Sequence, residues 1–598
     1  MALAASACTS SSPTETTTAL EPTPSSSVAT TEPPTTTTTT TEPLPQHPVG
    51  GEAVVADHQE PPTLNTFAPG GDNFIVSIIG QSYWAGVQEI DGYTLELIPE
   101  LVTQLPTTQN GGVTINDDGT MTVRYQIVDA AVWEDGTPIS GADFEMTYSI
   151  IMDPDLPITK STYEDIDPDS IVVGDKTFEY TFSAPTVLYE LIFGTILPAH
   201  QIVPATFLED WNDNMWASAG PFIFDEWAQG EFISVVRNDN YWKTDPETGQ
   251  ALPYLDSVTF KFIPEIESII TEFKAREIDI IQPPSNSETI ETLQALEPDG
   301  ARVEVLWGSV WEHLNWQFGQ KRLDRNENSC NESYNMRAAV AHTIDKKTLT
   351  DEIFGGQIEP LESYVDPYAP TISQQAWSQY EPSVALAQEF YAAAIEETGK
   401  ECSVVFSATS SNDARVKMSE LFVSMFEATG IPYTNELVDS SVFYGEWLDA
   451  GTWDLGEWAW VSSPGLSGLV GIHDVFDPEG PPPVGANYYR WGTTELDDSE
   501  YEGDKAIYAA SNESVVQDAA SARFAEVRDE MNATVDPAEL LALINEAETI
   551  LADNLVIIPL YARPVTAAVW EDEIGGFKHN PTRAGFTWNI EFWYRNDL

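Results

Sequence analysis

The chain has 598 residues, and its 26 basic and 96 acidic side chains give a formal net charge of −70. This balance excludes nucleic acids as partners, because binding to phosphates needs clusters of Lys and Arg. The length predicts several domains, and no apolar run of about 18 residues predicts a transmembrane helix. The acidic residues are spread along the chain. That favours a strongly hydrated surface, as on secreted proteins of saline habitats, over an electrostatic lure for cationic ligands.

The cysteines and histidines do not predict a metal site. The three cysteines lie far apart in the chain, and the seven histidines include no His-x-x-x-His pair. Neither pattern has the spacing of metal ligands. We therefore expect no metal and no cofactor.

The N-terminal segment resembles the end of a bacterial lipoprotein signal. Residues 1–8 place small side chains before Cys8, and residues 9–48 are almost wholly Ser, Thr, Pro and Glu. A signal also needs a basic region and an apolar core, so we expect the natural start to lie upstream. The 9–48 segment cannot bury enough apolar surface to fold, which predicts a disordered linker. We expect Cys8 to carry lipid that anchors the chain to the outer face of the cell membrane.

The folded part is predicted to begin near Gly51 with a strand over 52–56. A second strand is predicted over 121–128, where apolar and polar residues alternate after a turn at 116–119. Ser140 then suits a helix N-cap, and the acid three residues later completes a capping box. Further along, 220–242 predicts two strands joined at Gly230.

Several of these segments contain recognisable sequence motifs. Trp133-Glu-Asp-Gly-Thr-Pro138 is followed by Ser140-Gly-Ala-Asp143, and 220–242 ends in Arg-Asn-x-x-Tyr-Trp. Together they resemble the family 5 solute-binding proteins of ABC importers, the peptide- and nickel-binding class. The resemblance continues to the C-terminus through 197–200, 277–280, 334–345, 487–492 and 558–561.

The resemblance implies an α/β fold, a two-lobed clamp of the periplasmic-binding-protein type with an extra inserted subdomain (class II). Lobe I takes in 49–305, with the inserted subdomain at about 75–200, and the chain returns to it over 565–598. Lobe II takes in 306–564. The two crossings between the lobes act as a hinge that closes over ligand.

The resemblance also implies a function. It predicts an extracytoplasmic receptor, not an enzyme, that binds a peptide or similar small solute between its lobes. As a monomer it delivers that solute to the transmembrane subunits of an ABC permease. Two alternatives stay open. One is an oligosaccharide receptor of the same family, because aromatic side chains stack on sugar rings. The other is a secreted hydrolase working through paired carboxylates, although neither Gly-x-Ser-x-Gly nor His-Glu-x-x-His occurs.

Candidate ligand contacts lie in three aromatic clusters, since clefts of this kind have aromatic walls with a few polar groups. The candidates are Tyr83, Trp84, His313, Asn315, Trp316, Trp458, Trp460, Ser462 and Ser463. We expect His313 to be a hydrogen-bonded wall residue and not a metal ligand.

The third cluster departs from the family's Trp-x-x-Asp motif, whose aspartate holds a peptide's α-ammonium group. Counted from Trp460 the matching position is Ser463, and counted from Trp458 it is Val461. A buried ammonium needs a paired charge. We therefore expect that the ligand needs no free α-amino group, with Asp474 the first alternative acid if it does.

The resemblance also bears on the two other cysteines. It places Cys330 and Cys402 in lobe II and in an oxidising compartment, where we expect them to form a disulfide.

Overall fold

The computed structural model describes residues 44–598 except 159, 161, 368–372, 462, 464, 483–484 and 495–511. The strands in these residues are β1 Glu52–Asp57, β2 Gln88–Ile90, β3 Leu97–Pro99, β4 Val113–Ile115, β5 Met121–Gln126, β6 Ile166–Val173, β7 Thr177–Phe182, β8 Phe222–Ala228, β9 Phe232–Arg237, β10 Ser257–Phe262, β11 Ile280–Ile281, β12 Ala301–Trp316, β13 Val404–Thr409, β14 Tyr433–Val438, β15 Leu455–Val461, β16 Ile557–Trp570, β17 Ile574–Gly575 and β18 Tyr594–Arg595.

The helices are α1 Phe74–Gly80, α2 Gly141–Met152, α3 Phe207–Asp210, α4 Ile266–Lys274, α5 Ser287–Gln294, α6 Tyr334–Ala341, α7 Lys346–Phe354, α8 Val384–Thr398, α9 Asp413–Thr429, α10 Ser440–Val442, α11 Gly465–Ile472, α12 Ala519–Ala533 and α13 Pro537–Asp553. Among the described residues, none of these helices combines the length and the apolar character that a membrane span requires.

One ten-stranded mixed sheet runs through the molecule in the order β14-β13-β15-β12-β16-β11-β1-β10-β9-β8. The long strands β12 and β16 lie at its centre and pair antiparallel from Ala301↔Trp570 to Asn315↔Ile557. Beyond β12 the sheet continues into β15, and beyond β16 it continues into β11. This central pair therefore joins the two halves of the sheet.

Each half of the sheet has its own apolar core. One core is built from buried residues between Trp311 and Ala562, with Val187 as an addition from elsewhere in the chain. The other combines residues 53–280 with residues 567–593. Strand β16 contributes to both cores, through residues 557–562 to the first and through Ala567 and Val569 to the second.

The predicted local structure is largely confirmed. Strand β5 pairs with β4 through the turn at 116–119, but it ends two residues before the predicted limit. It ends there because Ile127 bridges to Val102 instead of continuing the ladder. Helix α2 has the predicted capping box: Ser140 Oγ accepts from the Ala142 amide, and Asp143 Oδ2 accepts from the Ser140 amide at 2.8 Å.

A smaller sheet, β4-β5-β7-β6, lies apart from the ten-stranded sheet and packs against α2. All of it lies within the predicted inserted subdomain. In the other half of the molecule the predicted disulfide between Cys330 and Cys402 is present, with Cα atoms 5.7 Å apart.

Candidate functional site

Two neighbouring cavities lie between residues 66–195 and segments that follow β15. The first, here called the acidic cavity, has a volume of about 500 Å³ and is lined by Trp84, Glu89, Glu100 and, on the facing side, Ser463. It unites two of the side chains that the sequence nominates, one from each half of the chain. A cleft of this size with convergent polar groups is typical of a small-molecule site.

The second, here called the apolar cavity, has a volume of about 580 Å³. Tyr125 and Tyr189 line it on one side and Leu466 and Leu541 on the other. Gln88, together with Leu97, lines both cavities, so the two spaces adjoin. Glu96 and Glu190 also line this second cavity, so each of the two cavities carries two acidic side chains.

The hairpin β2–β3 places the acidic side chains of the first cavity. It begins after Gly86, where a Cβ atom would lie 2.2 Å from the carbonyl oxygen of Gly194, so no side chain fits. Glu89 pairs with Ile98 across the hairpin. The amide of Glu100 donates to the carbonyl oxygen of Val87. Because directly opposed residues share a face, Glu89 and Glu100 occupy diagonal positions on one face of the hairpin.

Glu89 is a half-buried carboxyl with little to stabilise its charge. Its Oε1 accepts from the Ile90 amide at 2.8 Å. In the part of the chain that the structure describes, no cation lies within 4.0 Å of it. Burial, and then repulsion by Glu100, raise the pKa of Glu89 to about 8. The group is therefore largely protonated at neutral pH in the ligand-free protein.

Glu100 is held more firmly than Glu89. Its Oε2 accepts from the Gly86 amide at 2.9 Å, and its Oε1 lies 3.2 Å from Lys243 Nζ. The same ammonium lies 3.6 Å from Glu591. Burial raises the pKa of Glu591 despite this contact. One lysine thus serves two carboxylates, and Glu89 is left outside the pairing.

Trp84 and Tyr83 follow α1 but differ in their surroundings. Trp84 lines the acidic cavity and is 8% exposed, and its indole N–H has no partner in the described structure. The indole ring stacks on Trp211 with centroids 5.9 Å apart. Tyr83 is fully buried, and its hydroxyl donates to the carbonyl oxygen of Leu64 at 3.2 Å.

The segment after β15 supplies the opposite wall. Ser463 is exposed and lines the acidic cavity, whereas Ser462 lies outside the described residues. The alternative acid, Asp474, is exposed and lies 3.3 Å from Arg528. It lines neither cavity. The acids that do line the cavity, Glu89 and Glu100, come from the other half of the molecule.

Three further candidates form an aromatic cluster on one face of β12 and β15. His313 Nε2 lies 3.0 Å from the hydroxyl oxygen of Tyr489, to which the Trp460 indole also donates at 2.6 Å. Trp458 stacks on the Tyr489 ring. Burial lowers the pKa of His313 to about 3, so the imidazole is neutral. These side chains do not line the two cavities.

Asn315 and Trp316 are fully buried on β12. The side-chain amide of Asn315 donates to the carbonyl oxygen of His313 at 3.2 Å, and Trp316 belongs to the 311–562 core. Ligand contact by these two residues, and by Tyr83 and the aromatic cluster, stays a prediction.

On the other face of the same strands lies a buried ion cluster. Arg415 contacts Glu312 at 3.0 Å and Glu457 at 2.8 Å, and Arg563 contacts Glu312 at 2.6 Å. Burial acts to raise the pKa of Glu312, but its bond with Glu457 and the two guanidinium charges lower it to about 2. Burial and the Glu312 charge raise the pKa of Glu457. The proton of the pair therefore resides on Glu457.

Sequence reasoning missed the acidic pair and the apolar chamber. Among 96 acids, Glu89 and Glu100 carry no distinguishing spacing. The Asp91-Gly92 dipeptide is a turn signal, but the loop between β2 and β3 spans residues 91–96, so the dipeptide does not predict the register that places the two acids on one face. Within the described residues, no three His, Cys, Asp or Glu side chains are grouped as metal ligands.

Comparison with known proteins adds a family and a fold. A model of the bacterial extracellular solute-binding proteins, family 5 (Middle), matches residues 96–467. The chain is 24% identical over 442 residues to the oligopeptide-binding protein AppA of Bacillus subtilis strain 168, covering 67% of this chain and 74% of the relative.

Two solved structures share the fold. One is the periplasmic EDTA-binding protein EppA, with a TM-score of 0.69 and 18% identity over 94% of this chain and 100% of that one. The other is AppA from Bacillus subtilis in complex with a nonapeptide, with a TM-score of 0.58 and 19% identity over 92% of this chain and 100% of that one. The predicted two-lobed clamp fold is thereby confirmed.

Proposed function

The chain belongs to the family 5 bacterial extracellular solute-binding proteins, and from this premise we propose that it is the extracytoplasmic receptor of an ABC importer. It binds a peptide or similar small solute and delivers that solute to the membrane permease. The observation that carries the proposal is the pair of adjoining cavities, each lined from both halves of the chain. A receptor that closes over its ligand needs this kind of site.

The lobes we propose are those expected from the sequence: 49–305 and 565–598 in lobe I, and 306–564 in lobe II. The separation into two apolar cores supports this division. We assign the hinge to β12 and β16, whose pairing register shifts between Trp307 and Trp311. A break in the ladder allows two rigid halves to turn, because fewer hydrogen bonds resist the motion there.

Among the candidate residues we propose Trp84 and Ser463 as ligand contacts, because both line the acidic cavity. His313 and Trp460 take a positioning role: through Tyr489 they brace the end of β15, from which Ser463 follows. The Tyr83 ring packs edge-to-face against the Trp84 ring, with centroids 5.6 Å apart, and so supports the cavity wall that Trp84 forms.

For location we propose a lipid anchor at Cys8, with 9–48 as a linker and a monomeric receptor beyond it. Acyl chains stabilise membrane attachment by about 0.8 kcal/mol for each buried methylene. Cys8→Ala, expressed behind a complete signal, is expected to move the protein from the membrane fraction to the medium. Retention of the variant in the detergent phase would contradict the anchor.

The receptor proposal is tested by calorimetry with pooled synthetic oligopeptides, followed by mass spectrometry of the peptides before and after incubation. We expect saturable binding with one site per chain and unchanged peptide masses. Cleaved peptides would point to an enzyme instead. Binding that does not saturate, at any peptide concentration, would contradict a receptor for this class of solute.

A further inference from the structure

The short 3-10 turn Val187–Leu191, here called the 187–191 turn, places side chains in both apolar cores. Tyr189 belongs to the core of the first half of the chain. Val187 is 2% exposed and belongs to the other core, whose remaining buried members in the described part of the chain all lie between residues 311 and 562. The turn lies outside the ten-stranded sheet. It therefore connects the two halves of the molecule at a place separate from β12 and β16.

Hydrogen bonds fix the 187–191 turn to its own half of the molecule. Gln88 Nε2 donates to the carbonyl oxygen of Glu190 at 2.6 Å. The Tyr189 hydroxyl donates to the carbonyl oxygen of Pro106 at 3.1 Å. Because both partners lie in the first half of the chain, these bonds keep the turn in place when the two halves separate. The buried valine at its start is then exposed to water.

The other half contributes two helices and a valine of its own to this contact. The 187–191 turn contacts α11 and α12. Val535, in the loop between α12 and α13, packs in return against the core of the first half. Each half thus buries an apolar side chain of the other. Separation of the halves returns both side chains to water, which is unfavourable, so the contact stabilises the closed arrangement.

The same contact borders the apolar cavity. Tyr189 and Glu190 of the turn line the cavity from one side. Leu466 of α11 and Leu541 of α13 line it from the other. Separation of the two halves at the turn therefore opens the cavity, and contact at the turn closes it.

Resting on the receptor function above, we propose that the 187–191 turn is a latch that holds the two lobes closed before ligand arrives. The hinge strands β12 and β16 allow the lobes to turn, and the latch sets the position in which the ligand-free protein rests. Full burial of one valine side chain is sufficient to shift a two-state equilibrium by about 10- to 100-fold. Ligand therefore meets a receptor that is mostly closed, and it enters when the latch opens.

A closed resting state affects affinity and association rate in opposite directions. Affinity is higher, because the closed state that holds ligand is already populated. Association is slower, because ligand enters only the open state. If removal of the latch lowers the closed fraction from about 0.9 to about 0.1, binding weakens and association accelerates, each by about ninefold. General structural damage would weaken binding without accelerating association.

Distances between two nitroxide labels, measured by pulsed electron resonance, test the latch in the ligand-free protein. The labels are attached at Glu145→Cys on α2 and Glu526→Cys on α12, two exposed positions on opposite sides of the latch, in the Cys8→Ala chain. Phe144 of α2 packs against Phe193, with ring centroids 5.6 Å apart, so the first label moves with the turn. The labelled chain should show one main distance.

Val187→Asp should transfer more than half of the labelled molecules to a longer distance. Val203→Asp, at an exposed valine in the same half, is the matched control and should keep the original distance. Val187→Ala should give a smaller shift, and Val535→Asp should open the latch from the other side. These two variants decide the matter if Val187→Asp does not fold. An unchanged distance in all three latch variants, or a long distance already present without them, overturns the proposal.

A free-amine peptide pool, of synthetic tetra- to hexapeptides built from Ala, Leu and Phe, supplies the ligand arm. The pool should return Val187→Asp to the short distance. By stopped-flow tryptophan fluorescence and calorimetry, the variant should associate about ninefold faster than wild type and bind about ninefold more weakly. Association that is unchanged or slower would contradict the latch. If the pool binds neither protein, the receptor proposal falls, and the ligand-free distances still decide whether the latch exists.

Discussion

Replacement of Glu89 by Gln should stabilise the ligand-free protein, and increasingly so as the pH rises. The amide keeps an oxygen for the Ile90 amide, which donates to Glu89 at 2.8 Å, and removes a charge that lacks a cation partner. Folding holds the Glu89 proton more tightly than the unfolded chain does, because burial and Glu100 raise its pKa to about 8. The stabilisation that the proton on Glu89 provides is therefore complete below pH 4.5, and it is lost progressively as the pH rises to 8.

The magnitude follows from that interval. Each pH unit between the two pKa values costs about 1.4 kcal/mol, so three units, from pH 4.5 to 7.5, cost about 4 kcal/mol. Since Glu89 is half-buried beside a cavity, solvent screens part of this energy. We expect the variant to exceed wild type by about 2 kcal/mol at pH 7.5 and to match it near pH 4.5.

Urea unfolding followed by tryptophan emission at pH 5, 6.5 and 8 measures the free energies of unfolding. Glu145→Gln on the exposed face of α2 controls for a change in net charge. A difference between Glu89→Gln and wild type that stays constant across the three pH values would refute the argument for an unpaired, partly buried carboxyl.

Four other variants test the scaffold and the site. Arg415→Met leaves two buried carboxyl groups without their shared cation and should lower the free energy of unfolding by about 3–5 kcal/mol; a loss below 1 kcal/mol in urea unfolding would contradict the pairing. Trp316→Ala should cost about 3–5 kcal/mol without changing the affinity of the folded protein for the peptide pool. Trp84→Ala should weaken that affinity in calorimetry. Unchanged affinity in Trp84→Ala together with weakened affinity in Trp316→Ala would contradict the placement of the ligand beside Trp84. Replacement of both Cys330 and Cys402 by Ser should lower stability by about 2–4 kcal/mol, and an unshifted urea midpoint would argue against the bond.

Much of the fold follows from local pattern. The Ser140–Asp143 capping box and the alternation along β5 act within a few residues, so the sequence alone predicts them. The family resemblance extends this to the clamp, since its motifs recur along the whole chain. Strand β5 ends before Ile127 because Ile127 pairs with Val102, a residue from another part of the chain. The local sequence pattern does not predict this pairing.

The site follows from the sequence only in part. Trp84 and Ser463 stand out because one lies in an aromatic cluster and the other interrupts a family motif. Glu89 and Glu100 do not stand out in the sequence. They line one cavity only because β2 and β3, two strands of three residues each, pair in a register that puts both acids on the same face. For Trp316, residue type and cluster suggest a cleft wall, whereas the structure buries the side chain fully in a core, and its contact with ligand stays a prediction. Burial is a property of the packed chain and cannot be read from residue type.

The measurement that tests the central claim most directly is photo-cross-linking with the free-amine peptide pool carrying a diazirine on one Leu side chain. Digestion and mass spectrometry then locate the modified residues. The account predicts saturable cross-links within 84–107 and 463–466, on both sides of the two cavities, and competition by unlabelled peptide. Cross-links confined to one half of the chain, or scattered over the surface and not competed away, would contradict a receptor that binds its solute between two lobes.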